Sequence, residues 1–174
     1  DLVQLRTIFG AALTSDVLDH LGYRNQVLKS DVSMISGDGV MMGYAFPVRL
    51  EVVDTYPEVP YVGLLAALDA IQKDQVYVTP SGRMKRAALW GELLSTACAF
   101  KGVAGALTDG PVRDVTRMRA MGFKVFGVET DTTDINIRYE VVEHNVAGEI
   151  DGVSIKPGDL IVGDIDGVVI VPKD

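Results

Sequence analysis

The chain has 174 residues, of which 48% are hydrophobic, and it carries a formal net charge of −8. This length suits one domain, and this hydrophobic content excludes disorder along the whole chain. The acidic balance excludes broad binding to a nucleic-acid backbone, which needs a basic face, and no apolar run reaches the roughly 18 residues that span a bilayer.

Cys98 is the single cysteine, so it has no internal disulfide partner. We expect a buried, unreactive thiol, because its neighbours are apolar and neither a second cysteine nor a nearby histidine supports a thiol or metal site. A lone cysteine indicates a reducing compartment. The sequence also lacks the pattern of a signal peptide, which is a basic segment followed by an apolar one. We therefore predict a cytoplasmic protein.

The first twenty residues predict helical structure. Residues 1–13 have apolar side chains at helical spacing. Thr14 or Ser15 can cap a second short helix, which is expected to end at Gly22. His20 lies in this helix without a partner ligand at helical spacing, so we expect it to be solvated or to cap the helix.

From residue 40 the pattern becomes strand-like. Residues 40–53, VMMGYAFPVRLEVV, predict a long strand in which Pro47 favours an edge or a bulge. Residues 57–75 contain a helix with apolar positions at helical spacing, residues 76–79 predict a short strand, and residues 80–83, PSGR, predict a turn.

A basic cluster follows this turn, at Arg83, Lys85 and Arg86. Such a cluster can bind an anion locally. We favour the alternative that these side chains belong to a solvated loop that leads into the next helix.

The middle of the chain alternates strands and helices. A helix is expected within residues 87–100 and a buried strand at residues 102–109. A further helix is expected in the segment 112–122, with Pro111 near its start and Gly122 past its last helical residue. Residues 123–129 predict another strand. A strand–helix–strand crossover implies parallel pairing with a right-handed connection, so we assign the α/β class.

The tail is β-rich. Residues 137–172 contain one strand after another, with turns at the two IDG sequences and at PGD. His144 lies in this tail without a companion ligand, and we interpret it as structural or exposed.

Residues 89–115, LWGELLSTACAFKGVAGALTDGPVRDV, have isolated charges at the two ends of an apolar run. Glu92 lies near a helix start, and Arg113 and Asp114 are expected in the first turn of the next helix. Ligands of parallel α/β sheets gather in such loops, and helix N-termini attract anions. Arg113 can bind a carboxylate with two hydrogen bonds, and Asp114 can bind a divalent metal or accept a proton.

Each charge also has a structural interpretation, which the spacing alone favours. Asp114 and Glu92 can stabilise helix dipoles, and Arg113 can pair with an acid. Taken together, however, a guanidinium, two carboxylates and two helix starts could surround a small anionic pocket that suits an oxo acid with a metal. The sequence lacks a phosphate loop, a nucleophile elbow and a His- or Cys-rich metal motif, which leaves a carboxylate–water Mg²⁺ or Mn²⁺ site.

WGELLSTACAFKGVAGALTDGPVRDV resembles the RraA-like family, which contains 4-hydroxy-4-methyl-2-oxoglutarate aldolases and protein regulators of ribonuclease E activity. SDVLDHLG, MGYAFPVRL and IKPGDLIVGDIDGVVIVP resemble its N-terminal helix, its first long strand and its ending. The resemblance thus covers most of the chain. It implies a single domain over residues 1–174, an α/β/β sandwich of the swivelling-domain type, and assembly as a trimer or a dimer of trimers.

The resemblance also implies a metal site. Aldolase members carry an acid, twenty intervening residues and then Arg-Asp, which here are Glu92, Arg113 and Asp114. By this similarity Asp114 binds Mg²⁺ or Mn²⁺ directly and Glu92 binds it through water. The acid is often Asp in the aldolases, so Glu92 is a conservative departure.

The substrate-binding residues are likewise implied by the resemblance. Arg113 would grip the oxo-acid end of the substrate. The backbone N–H groups of Leu93 and Leu94, which follow Gly91, would hold the pyruvate carboxylate.

The implied activity is retro-aldol cleavage of 4-hydroxy-2-oxo acids to pyruvate, with oxaloacetate decarboxylation as a side activity through the same enolate. The alternative is a regulatory protein that inhibits a ribonuclease by protein–protein contact, and a third reading is a scaffold for another small anion. We expect a small 2-oxo acid and further copies of the chain, as a homotrimer or hexamer, to be the partners, and neither nucleic acid nor membrane.

Family aldolases continue past the final strand into a C-terminal helix, which can lend an acid to the metal site of the neighbouring subunit. The sequence stops at Asp174, just after VVIVPKD. Either the protein lacks this helix or the helix lies beyond this sequence; its absence would remove that acid and weaken the aldolase interpretation.

Overall fold

The computed structural model describes residues 1–29, 31–84 and 86–174. The helices are α1 (Leu2–Ile8), α2 (Ala11–Leu21), α3 (Val62–Ala70), α4 (Glu92–Phe100) and α5 (Val115–Met121). The strands are β1 (Ser33–Ser36), β2 (Met41–Val52), β3 (Gln75–Thr79), β4 (Gly105–Thr108), β5 (Pro111–Val112), β6 (Val125–Gly127), β7 (Glu129–Thr130), β8 (Tyr139–His144), β9 (Gly148–Ile150), β10 (Val153–Ile155), β11 (Leu160–Asp164) and β12 (Gly167–Val171).

A mixed sheet forms the centre of the fold, with the strand order β1-β6-β4-β3-β2-β11-β12. Strands β2, β3, β4 and β6 are parallel to one another. The pairs β1–β6, β2–β11 and β11–β12 are antiparallel, and so is the pairing of β8 with the second half of β2. The parallel pairing of β4 with β6 across α5 confirms the predicted crossover. The predicted α/β class with a β-rich tail is also confirmed.

The central sheet is buried on both faces. Along β3, Val76 and Val78 belong to one apolar cluster and Tyr77 belongs to the other, because successive strand side chains point to opposite faces. The helices cover the Tyr77 face, and the β9–β10 hairpin contributes to the Val76 face. These two layers add Ala67, Cys98 and Met118 on the helical side and Ile150, Val153 and Ile155 on the hairpin side.

The N-terminal helices differ from their predicted bounds. α2 begins at Ala11, so the predicted cap at Thr14 or Ser15 is wrong. The N–H of Ala11 donates to Asp164 Oδ2 at 2.7 Å, and Thr14 Oγ1 donates back to the carbonyl of residue 10. A carboxylate from β11 therefore caps this helix. Its end at Gly22 is confirmed, with a left-handed backbone at φ 93°.

The helix predicted with Pro111 near its start also begins later. Pro111 and Val112 form β5, which pairs with β7 in parallel, and α5 starts only at Val115. The backbone stays extended through this stretch because it takes part in pairing with distant segments. By contrast, α4 begins at Glu92 and ends at Phe100, which confirms the helix predicted within residues 87–100 with Glu92 near its start.

Pro47 lies inside an interior strand and not at a sheet edge. It stands between the part of β2 that pairs with β11 and the part that pairs with β8. A residue without an N–H is tolerated there because one antiparallel partner has ended and the next has not begun.

The predictions for the cysteine and the histidines agree with the structure. Cys98 is buried, and burial raises the pKa of its thiol to about 12. Such a thiol is protonated at neutral pH and is a poor nucleophile. His20 is exposed, whereas the His144 ring stacks on Phe46 with centroids 5.5 Å apart. None of the helices in the described part of the chain has the length and apolarity that a membrane span requires.

The predicted basic cluster is largely neutralised. Arg83 donates to both Asp31 and Asp151, with Nε 2.9 Å from Asp151 Oδ1, and Arg86 donates to Asp54 at 2.8 Å. Lys85 lies outside the described residues. The hydrogen bond from Arg83 lowers the pKa of Asp31. Burial opposes ionisation of Asp151, but Arg83 and a backbone N–H outweigh it and hold the pKa of Asp151 below its usual value.

We expect Arg83→Met to lower the free energy of unfolding at pH 7 by about 2 kcal/mol, because Asp151 is only 2% exposed and loses its charged donor. A lowered pKa gives stability that is present above the unfolded value near 4 and is lost as the pH falls through the folded value. Urea unfolding at pH 7 and at pH 3 should therefore show a large difference between variant and wild type that shrinks in acid.

Arg86→Met is the matched control, since its partner Asp54 is 77% exposed. It should leave the stability nearly unchanged at both pH values. An equal loss for Arg83→Met at pH 7 and pH 3 would show that packing, and not the ion pair, is responsible.

Candidate active site

Two segments from different parts of the chain run side by side next to α4 and α5. The N–H of Leu89 donates to the carbonyl of Pro111 at 2.8 Å, and the N–H of Arg113 donates to the carbonyl of Trp90 at 2.9 Å. Trp90 and Val112 form a parallel bridge between them. This pairing places the start of α4 beside the residues that precede α5.

Gly91 allows the two segments to approach closely. A Cβ at this position would lie 2.7 Å from Asp114 Oδ2 and 3.1 Å from Arg113 Cγ, well inside ordinary contact distance. The N–H of Glu92 donates to Asp114 Oδ2 at 3.2 Å. The structure thus brings Gly91 and Glu92 together with Arg113 and Asp114, and Asp114 caps α4 from 22 residues away.

The predicted placement of Arg113 and Asp114 in the first turn of a helix is wrong. Asp114 is the residue before α5, its side chain makes no capping bond to that helix, and Arg113 precedes it. The Asp114 carboxylate instead contacts the start of α4. At the start of α4, one backbone N–H group is already bonded to Asp114.

Arg113 lies between two carboxylates. Its Nη2 is 3.2 Å from Asp134 Oδ1, and its Nε is 3.8 Å from Asp114 Oδ2. The Tyr61 hydroxyl donates to Asp134 Oδ2 at 2.8 Å. Burial, and then the hydrogen bond to Asp134, raise the pKa of Tyr61, so its hydroxyl remains a donor at neutral pH.

Sequence reasoning missed Asp134 and Tyr61. They are 73 residues apart in the chain, and neither stands in a motif or at a helical spacing from the other site residues. The one local peculiarity is the backbone of Tyr61, which is left-handed at φ 63°, a conformation that bulky residues rarely adopt. That feature is visible only once the chain is folded.

A cleft of about 340 Å³ contains these groups. Its polar end holds Arg113, Asp114, Asp134 and Tyr61, and side chains of α3 and α4 form an apolar wall. The other lining residues are Leu64, Leu65, Leu68, Ala88, Leu89, Trp90, Gly91, Leu93, Leu94, Ala97 and Ile135. Arg113 and Asp114 also border a second, more open cleft with Thr116, Thr130 and Thr132.

Of three further predicted site residues, two line the cleft and one does not. Leu93 and Leu94 line the cleft, and their N–H groups have no acceptor among the described residues. Glu92 is absent from the described residues that line it, although its backbone contacts Asp114. Any role of the Glu92 carboxylate in this cleft would therefore be indirect, through a bridging molecule.

The donor set decides which metal could be held here. Within residues 1–29, 31–84 and 86–174, no group of three or more His, Cys, Asp or Glu side chains could enclose a metal. Asp114 Oδ1, however, has no hydrogen-bond partner in the same ranges. One carboxylate oxygen with water and ligand oxygens suits Mg²⁺ or Mn²⁺, which keep several waters, and does not suit structural zinc.

The family of the chain follows from its match to known proteins. The model of the family described as RraA-like, Aldolase/RraA, matches residues 11–170. The chain belongs to the RraA-like family. The segment 89–115, on which the predicted resemblance rested, lies inside this match, and the predicted family is confirmed.

Two curated relatives show how far the similarity extends. A protein of Halalkalibacterium halodurans, named "Putative 4-hydroxy-4-methyl-2-oxoglutarate aldolase", is 31% identical over 172 residues, which is 99% of this chain and 76% of the relative. An uncharacterized protein of Methanocaldococcus jannaschii is 41% identical over 87 residues. That match spans half of this chain and 41% of the relative.

A solved structure shares the fold. The RraAS2 protein of Streptomyces coelicolor, described as an unusual member of the RNase ES inhibitor RraA protein family, superposes with a TM-score of 0.80. It is 26% identical, and the match covers 95% of this RraA-like chain and 81% of that one. The family thus includes proteins named as aldolases and proteins described as ribonuclease inhibitors.

We expect Gly91→Ala to destabilise the fold by about 1 kcal/mol, because the new methyl group collides with the Asp114 carboxylate and breaks its bond to Glu92. In an Asp114→Ala background the same substitution should destabilise the fold less, since the Asp114 carboxylate that meets the new methyl group is absent. Urea unfolding of the four proteins gives the coupling free energy. Strict additivity would show that Gly91 and Asp114 do not constrain each other.

Proposed function

We propose that the protein is a divalent-metal-dependent lyase that cleaves 4-hydroxy-2-oxo acids, of the 4-hydroxy-4-methyl-2-oxoglutarate type, to pyruvate. Oxaloacetate decarboxylation is the proposed side activity. The observation that carries the proposal is the meeting of Gly91, Arg113 and Asp114 at one cleft, with the backbone N–H of Glu92 bonded to Asp114. The name of the Halalkalibacterium relative supports the same chemistry.

Arg113 and the start of α4 are the proposed anion-binding groups. A guanidinium can give two parallel hydrogen bonds to a carboxylate or to adjacent oxo and carboxylate oxygens. The N–H groups of Leu93 and Leu94 can donate to the pyruvate carboxylate, where the partial positive charge of the helix N-terminus adds to the attraction. These donors would hold the oxo-acid end while the rest of the substrate lies along the apolar wall.

The bond changes are those of a retro-aldol reaction. The C4 hydroxyl loses its proton and becomes a carbonyl, the C3–C4 bond breaks, and its electron pair forms the enolate of pyruvate. Protonation of that enolate at C3 gives pyruvate. Arg113 is the group proposed to stabilise the negative charge that develops on the enolate oxygen, a contribution of the oxyanion-hole type.

Asp114 and Glu92 complete the proposed site. A divalent cation held by Asp114 would supply Lewis-acid stabilisation of charge on the oxo-acid oxygens. Glu92 is proposed to hold a water molecule beside Asp114. That water is our candidate for the base that takes the C4 hydroxyl proton.

The second candidate function is regulation of a ribonuclease by direct contact. The description of the Streptomyces structure and the net charge of −8 favour it, because an acidic surface can dock on a basic partner. The two functions differ in what they need, since protein contact does not require Arg113 or Asp114. Regulation would be favoured if this protein inhibits a ribonuclease and the Arg113→Ala variant inhibits it to the same extent.

We also propose self-association as a homotrimer or hexamer. Large apolar side chains are exposed on several helices, with Phe100 94% and Leu93 80% exposed, and burial against another copy would remove them from water. Sedimentation velocity at micromolar concentration should give the mass of three or six chains. A species with the mass of one chain would contradict this assembly.

We expect oxaloacetate to yield pyruvate in the presence of Mg²⁺ or Mn²⁺, and EDTA to abolish the rate above background. Arg113→Ala should lower turnover at least about 100-fold, as removal of one oxyanion donor commonly does. Arg113→Lys should recover only part of it, because an ammonium cannot form the two-pronged bond. Asp114→Asn should remove the dependence on metal concentration.

Arg117→Ala is the matched control for Arg113. Arg117 is exposed on α5 and lines neither cleft. Its loss should leave turnover near the wild-type value. Pyruvate formation that is independent of metal, or that survives in Arg113→Ala, would contradict the proposed site.

A further inference from the structure

The guanidinium that would bind the substrate already has a carboxylate partner in the cleft. Asp134 Oδ1 is 3.2 Å from Arg113 Nη2, and both side chains line the same cavity. We propose that Asp134 is an internal competitor, which occupies Arg113 in the free protein and must be displaced by the carboxylate or oxo group of the incoming acid. This inference rests on the proposed function of Arg113 as the anion-binding group.

The position of Asp134 is set from its other side. Tyr61 donates to Asp134 Oδ2 at 2.8 Å, so one oxygen is bound by the hydroxyl and the other by the guanidinium. Tyr61 adopts a left-handed backbone directly before α3, which costs about 1 kcal/mol or more and persists only where the surroundings impose it. The Tyr61 hydroxyl is thereby directed at Asp134.

The contact is of a kind that a ligand can break. The side chains of Arg113 and Asp134 are 34% and 39% exposed, so water can replace the contacts that each loses. Partly exposed ion pairs are weak, and their loss is offset by hydration. A substrate carboxylate that makes two hydrogen bonds to Arg113 can therefore replace the single contact from Asp134.

The formal charges of the cleft support the same conclusion. Its described lining carries one positive charge, at Arg113, and two negative charges, at Asp114 and Asp134. Both carboxylates repel an anionic ligand that enters this cleft, unless a bound metal cation offsets their charge. Removing the charge of Asp134 leaves the lining formally neutral, so both the competition and part of the repulsion disappear.

Direct binding measures this effect without turnover. Isothermal titration of pyruvate into the Mg²⁺-containing protein should give a Kd roughly two- to fivefold lower for Asp134→Asn than for the wild type, a size typical of a partly exposed ion pair. Tyr61→Phe, which keeps the ring and removes the donor, should lower the Kd by a smaller factor. The double variant should bind no more tightly than Asp134→Asn, because Tyr61 acts through Asp134.

Two controls separate this effect from a general change in charge. Asp166→Asn, in the β11–β12 turn outside the cleft, changes the net charge equally and should leave the Kd unchanged. Methyl pyruvate, which lacks the ligand charge, should bind the wild type and Asp134→Asn alike. Thermal unfolding of each variant shows whether it is folded. If Asp134→Asn does not fold, Tyr61→Phe still tests the inference.

The outcomes also distinguish this inference from the proposed function. Weaker pyruvate binding in Arg113→Ala together with an unchanged or higher Kd in Asp134→Asn overturns the competitor role alone, and would leave Asp134 as a residue that orients Arg113. Pyruvate binding that is the same in Arg113→Ala and wild type, or undetectable in both, overturns the anion-binding role of Arg113 and the inference with it. Tighter binding in Asp134→Asn that disappears when Arg113 is also replaced supports both.

Discussion

The pairing of the segment before α4 with the segment before α5 is the constraint on which the candidate site depends. Leu89, Trp90 and Val112 are buried, and the hydrogen bonds between the two segments satisfy backbone groups of these largely buried stretches. Separating them would leave those groups unpaired, which costs far more than any one surface contact. The relative position of Gly91 and Asp114 is therefore fixed by the core and does not depend on the polar contacts of the site.

The charged groups of the site are consequently not what holds this backbone in place. Arg113 and Asp114 are partly exposed, and their mutual contact is long, at 3.8 Å, so this ion pair contributes little to folding. The ion pair at Arg83 is different, because its partner Asp151 is almost completely buried. A weak network beside a rigid backbone can exchange partners when a ligand arrives, whereas a buried network of that kind cannot.

Local signals in the sequence predicted most of the fold. The short strand predicted at residues 76–79 is β3, and the left-handed glycines Gly22 and Gly122 end their helices as expected. The start of α2 could not be predicted, since it is capped by Asp164 from the far end of the chain. Errors of this kind share one cause, which is a long-range contact that overrides a local preference.

The candidate site divides in the same way. Glu92, Arg113 and Asp114 could be predicted because they are isolated charges at the two ends of an apolar run and match a family motif with fixed spacing. Gly91 was predicted with them because it precedes Glu92. Asp134 and Tyr61 have no such record. The sequence predicted that Arg113 could pair with an acid, but it could not identify that acid. Asp134 lies in the loop between β7 and β8, and only the fold brings this loop next to Arg113.

The backbone at the cleft is more informative than its side chains about where the molecule stores strain. Tyr61 and Asp114 both adopt left-handed conformations without being glycine, and both border the same cavity. A residue of this type held at positive φ costs about 1 kcal/mol or more, which glycine would avoid at either position. Glycine would also remove the hydroxyl that holds Asp134 and the carboxylate that meets α4. The side-chain chemistry of these two residues thus explains why the strain is retained, and it connects the fold to the proposed anion-binding cleft.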